Sequence, residues 1–160
     1  MSMVEEELAH GRLDEAVGLV VGTMREFANA GAIQRMGCRA LLTLCESEVG
    51  VQRAADAGAI QTVCAALKAH STTDEGEVLR WATTALLRLV ADSAVRSHLA
   101  VASGAEEALL CALETAKAAA KAGGPKVPRW YEKVRLAHRW LAMHAKMIVA
   151  LRIPLNTYSA

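Results

Sequence analysis

Aromatic residues are scarce in this 160-residue sequence, at 4%, although hydrophobic residues reach 53%. An apolar share carried mainly by alanine and leucine argues against β-sheets and for helices. An excess of charge is missing as well: 18 basic residues stand against 17 acidic ones, for a formal charge of +1. No global field therefore draws the chain toward nucleic acid or an acidic membrane, and any charge recognition must be local. No apolar run reaches the roughly 18 residues needed to span a bilayer. The segment from Met1 to Glu7 is acidic where a signal peptide would be basic. A soluble intracellular protein is expected, cytoplasmic with the nucleus as the alternative.

Catalytic and metal-binding patterns are also lacking. Cys38, Cys45, Cys64 and Cys111 have no CxxC spacing and fall inside expected helices, which suits buried thiols in a reducing compartment. Cys38 and Cys45 share a helix face, so a transient metal or redox role is the competing reading of that pair. Of the five histidines, His10, His70, His98, His138 and His144, only the last two share a helix, and their spacing of six is not the i, i+4 spacing of a metal pair. Surface or capping roles are expected for them. There is no phosphate-binding glycine loop, no GxSxG and no carboxylate pair spaced for acid–base work. The chain is read as a non-enzyme, with no catalytic residue, metal or cofactor.

What the sequence does contain is a repeat. Ala40-Leu41-Leu42-Thr43-Leu44 and Ala85-Leu86-Leu87-Arg88-Leu89 lie 45 residues apart, and each ends a long helical pattern. A short polar break follows each, then a short helix (Val51 to Ala57; Val95 to Ser103), a glycine (Gly58; Gly104) and a new apolar helix. The glycines are 46 apart, so two landmarks report one period, within the roughly 40 to 47 residues of helical solenoid repeats. Each glycine supplies the positive φ that a sharp exit from a short helix requires. From Glu77 to Ala91, the residues Val78, Ala82, Ala85, Leu86, Leu89 and Val90 wind one apolar stripe, with Arg80, Thr83, Thr84 and Arg88 opposite. Ala30-Gly31-Ala32-Ile33 duplicates Ala57-Gly58-Ala59-Ile60, but at an offset of 27. The 45-residue register makes that first copy the start of a third helix and not of a second.

Residues Gln52 to Ile60, followed by Val63, Leu67 and the helix Glu77 to Leu89, resemble a complete unit of the armadillo repeat family. The likeness is specific over residues 48 to about 113. It implies an all-α, right-handed superhelical solenoid of about three repeats in one domain, residues 1–150. The units are about 1–47, 48–92 and 93–150, before an extended tail at 151–160 that leaves the helix at Pro154. The opening unit is expected as helices near 3–9, 12–29 and 31–47. The last carries an insertion, Ala116 to Pro128, broken by Gly123-Gly124-Pro125 and Pro128. Some armadillo proteins are anchored through an acylated glycine after the first methionine; Ser2 stands there, so that route is not expected.

The resemblance also places a partner-binding groove along the third helices. In the peptide-carrying importin-alpha type, asparagine and tryptophan line it. The asparagine positions here hold Thr43, Arg88 and Trp140; the tryptophan positions hold Arg39, Thr84 and Leu136. That departure removes the nuclear-localisation-signal mode. Arg35, Arg39, Arg80 and Arg88, with Arg135 and Arg139 and the nearby Trp81 and Trp140, suggest instead a basic concave groove for an acidic or phosphorylated segment of a partner. Guanidinium forks would grip carboxylates or phosphates and indoles would add apolar contact. The competing reading is a solvated helix face with tryptophans partly in the core. The functional expectation is a protein–protein adaptor or scaffold. The alternatives are a structural subunit assembling through apolar solenoid ends, as a homo-oligomer or within a larger complex, and, less favoured, an RNA or DNA binder using the same arginines.

Overall fold

The computed structural model describes residues 3–72, 76–121 and 130–150. The described residues form helices and no strand: α1 (Met3–Glu26), α2 (Gly31–Leu44), α3 (Glu48–Asp56), α4 (Ala59–His70), α5 (Gly76–Val90), α6 (Ala94–Ala102), α7 (Ala105–Lys121) and α8 (Tyr131–Ala150). None of them is long and apolar enough to cross a membrane.

The two short helices are built alike from residues 46 positions apart. Ser47 precedes α3 and its Oγ accepts from the backbone N–H of Gly50; Ser93 precedes α6 and its Oγ accepts from that of Arg96. Each serine satisfies one of the amide donors that a helix start leaves without an internal partner. At the other end the turns into α4 and α7 pass through Gly58 at φ 83° and Gly104 at φ 77°. Both glycines therefore hold the left-handed conformation expected of them, which costs an L-residue with a side chain about 1–2 kcal/mol. A cation lies against each turn, from α1 at Gly58 and from α4 at Gly104. The Arg25 guanidinium reaches Gly58 O at 3.3 Å and Thr62 Oγ1 at 3.0 Å, and the Lys68 ammonium lies against Gly104.

Helices α1, α4 and α7 pack in succession, and so do α2, α5 and α8. The short helix α3 touches α1 and α2 on one side and α4 and α5 on the other; α6 bridges α4 and α5 to α7 and α8 in the same manner. The described helices thus form three pairs joined by two short connectors. One core cluster runs through it, from Val17, Val21 and Met24 of α1, through Ile60, Leu67, Leu86 and Leu89, to Val134 and Leu141 of α8. All six residues of the α5 stripe read from the sequence are buried.

Several local expectations are corrected. The opening segment is one helix of 24 residues and not two, so the first pair has no short helix of its own. Gly11 does not break it, because one glycine costs a helix only about 1 kcal/mol while the helix buries Val17, Val21 and Met24 further on. Helix α7 continues through Lys121, so residues 116–121 of the expected insertion are helical. Gly123, Gly124, Pro125, Pro128 and the tail 151–160 lie outside the described residues. Thr83, assigned to the polar face of α5, is fully buried. His70 and His98 are buried too, and His70 Nε2 lies 3.3 Å from Ala28 O. The duplicated Ala30-Gly31-Ala32-Ile33 starts the second helix of a pair, with Gly31 inside α2, in agreement with the 45-residue register.

Candidate functional site

Helices α2 and α5 lie side by side, and between them opens a depression of about 520 Å³ lined by Met36, Arg39, Ala40, Leu42, Thr43 and Trp81. Three of these, Arg39, Thr43 and Trp81, belong to the groove read from the sequence. The indole of Trp81 is half-buried and has two guanidinium groups over its ring, with Cζ of Arg80 4.8 Å and Cζ of Arg39 5.2 Å from the centroid. At such distances each cation is attracted to the electron-rich ring face.

One residue absent from the sequence reading organises this cluster. Glu77, one turn before Trp81 on α5, accepts from the indole Nε1–H at 3.2 Å and pairs with Arg80 Nη1 at 3.1 Å. Its spacing of three and four from Arg80 and Trp81 is the spacing at which helix side chains meet, so the signal was present in the sequence. The Glu77–Arg80 pair is exposed and contributes little to stability, but it fixes the orientation of the indole. Arg39 differs from Arg80: it forms no ion pair or side-chain hydrogen bond among the described residues. Its guanidinium rests on the Trp81 ring and lines the open depression. The cluster of Arg39, Arg80 and Glu77 carries one net positive charge beside the apolar side chains of Met36 and Leu42. Such a site can take an anionic group at the guanidinium and an apolar group beside it.

The remaining groove residues are not gathered into this cluster. Arg88 extends from α5 to the end of α2, where Nε donates to Cys45 O at 2.7 Å and Nη2 to Glu46 O at 3.0 Å. It closes two carbonyls that the helix end leaves open, so its guanidinium is already committed to backbone. Thr84 donates to Arg80 O at 2.7 Å and Thr43 to Arg39 O at 3.4 Å, each within its own helix. Arg135 is paired with Glu132 at 2.7 Å. The Trp140 ring packs on His144 with centroids 3.9 Å apart. Arg35 and Arg139 are exposed and make no ion pair among the described residues. Arg35, Arg88, Arg135, Arg139 and Trp140 make no hydrogen bond, ion pair or ring contact with the Trp81 cluster among the described residues.

The cysteines stand apart from the groove. Burial pushes Cys38 and Cys64 up to about 12 and Cys45 up to about 11, the last despite the opposing positive charges of Arg88 and Arg96. Such thiols stay protonated and unreactive at neutral pH. Cys111 is half-buried, in partial departure from the expected core position. Among the described residues no group of three or more His, Cys, Asp or Glu side chains is placed to hold a metal ion. A second depression, of about 210 Å³, lies between α1, α2 and α4. Two polar side chains that line it are already engaged: Gln34 donates to Met24 O at 2.8 Å, and Arg25 is bound at the Gly58 turn.

No protein-family model, curated protein or solved structure matches the chain.

Proposed function

We propose that the chain is an armadillo-like solenoid of three repeats and acts as a non-catalytic intracellular adaptor, binding an acidic or phosphorylated segment of a protein partner in the groove between α2 and α5. The observation that carries this reading is Arg39, without a carboxylate partner among the described residues, held on the face of Trp81 at an open depression that Met36 and Leu42 also line. The solenoid reading is supported by the successive packing of α1, α4 and α7 and of α2, α5 and α8, and by serine caps and left-handed glycines that recur at 46 residues. The binding residues are Arg39, Arg80, Trp81 and Thr43, flanked by Met36 and Leu42. Arg88 acts as a brace beneath the groove. Arg35, Arg135, Arg139 and Trp140, also read as groove residues from the sequence, do not line this depression.

The site suits a segment that places a phosphate or carboxylate on Arg39 and an apolar side chain against Met36 and Leu42. A guanidinium takes such anions through two parallel N–H···O bonds. Fluorescence anisotropy with labelled peptides of matched length tests this: one bearing phosphoserine beside leucine, one with glutamate in its place, and one with lysine. The anionic peptides are expected to bind and the lysine peptide not to. Arg39→Glu should weaken binding at least about 10-fold, a difference of about 1.4 kcal/mol, without loss of helix by circular dichroism. Equal binding of all three peptides, or unchanged binding by folded Arg39→Glu protein, would overturn the proposal.

A further inference from the structure

Exposed large apolar side chains are scattered singly over most of the surface, as is ordinary, but α8 gathers them. Leu136 (58% exposed), Met143 (57%) and Met147 (46%) are separated by seven and four residues, so they share one stripe, joined by the half-buried Trp140. Beside this stripe runs a second lane, Arg139 and Lys146, both exposed and free of ion pairs among the described residues. No described helix covers either lane. Across its 20 residues α8 holds four basic residues and one acidic residue.

Helix α1 has the opposite character. Its 24 residues hold six acidic and two basic residues, and its exposed face carries Glu7, Glu15 and Glu26 together with Leu19. Between them Gly11, Gly18 and Gly22 stand seven and four residues apart, with nothing within 4 Å of where a side chain would begin. A face of bare backbone flanked by carboxylates thus has the same spacing as the bulky stripe flanked by cations on α8. The two helices belong to the first and last pairs of the molecule.

We propose that α8 of one copy docks on α1 of a second copy, with Leu136, Met143 and Met147 against the glycine face and Arg139 and Lys146 against Glu15 and Glu26. The contact joins two different surfaces, so it leaves one of each unused and propagates beyond a dimer. One helix face is smaller than the roughly 1,600 Å² of a standard interface. Association is therefore expected at high concentration, on the order of 100 µM.

Sedimentation equilibrium of the full chain tests this across that range. The mean mass should rise past that of a dimer in low salt and fall toward the monomer in high salt, because screening weakens exposed charge pairs. The charge-reversed variants Arg139→Glu/Lys146→Glu and Glu15→Lys/Glu26→Lys should each be monomeric alone and associate when mixed. Met143→Ser, a neutral change at an exposed position, should lower association several-fold with the fold intact. A wild-type protein monomeric throughout, reversed variants that associate alone as the wild type does, or a mixture that stays monomeric would overturn the proposal. None of the substituted residues lines the depression between α2 and α5, so peptide binding serves as an independent check.

Discussion

At the scale of single residues, two arginines of one groove have different duties. Arg88 is bound to the carbonyls of Cys45 and Glu46, whereas Arg39 rests on a ring. Arg88→Ala should lower stability by about 1–2 kcal/mol, the cost of removing a charged donor from two helix-end carbonyls at a half-buried site. Arg39→Glu should change it by less than about 0.5 kcal/mol. Urea titrations of both variants check the contrast. The buried thiols give a pH signature. Cys38 and Cys64 titrate near 12 in the folded chain against an ordinary value of 9.0, so the unfolded chain loses these protons first. Their contribution is complete below about pH 9 and declines as pH rises from 9 toward 12. Thermal denaturation of Cys64→Ala across that window should show a shallower alkaline decline than the wild type. Parallel curves would contradict the assignment.

At the scale of elements, the serine–helix–glycine connectors carry the repeat. Gly58 and Gly104 hold positive φ with a cation against each turn. Gly58→Ala or Gly104→Ala should therefore cost about 1–2 kcal/mol, more than Gly18→Ala at an exposed, uncrowded helical site, where alanine is the better helix former. Chemical denaturation of the three variants gives the order. Much of this layer was legible in the sequence, because a positive-φ glycine and an apolar stripe are local demands written in adjacent residues. The long α1 was not, since a mid-helix glycine reads as a break until the burial further along the helix is known. Glu77 was legible by spacing, but its value depended on seeing the indole it orients. The commitment of Arg88 was beyond reach, because its acceptors lie 42 and 43 residues away on the end of another helix.

At the scale of the whole molecule, one apolar cluster runs through the described helices from α1 to α8. Unfolding should therefore be a single transition, with circular dichroism and tryptophan fluorescence coincident. Leu86→Ala, at a fully buried site on the central helix α5, should destabilise the chain by about 2–5 kcal/mol and keep the two probes coincident. Separate transitions would mean that the pairs fold independently. The functional claim rests on a surface and not on this core, and it is tested most directly by chemical-shift mapping. Titrating the isotope-labelled chain with the phosphoserine–leucine peptide should move the Trp81 indole N–H together with the amides of Arg39, Thr43 and Thr84, and leave those of α4 in place. Shifts centred on α1 or α8 with the Trp81 signal unmoved would contradict the groove assignment.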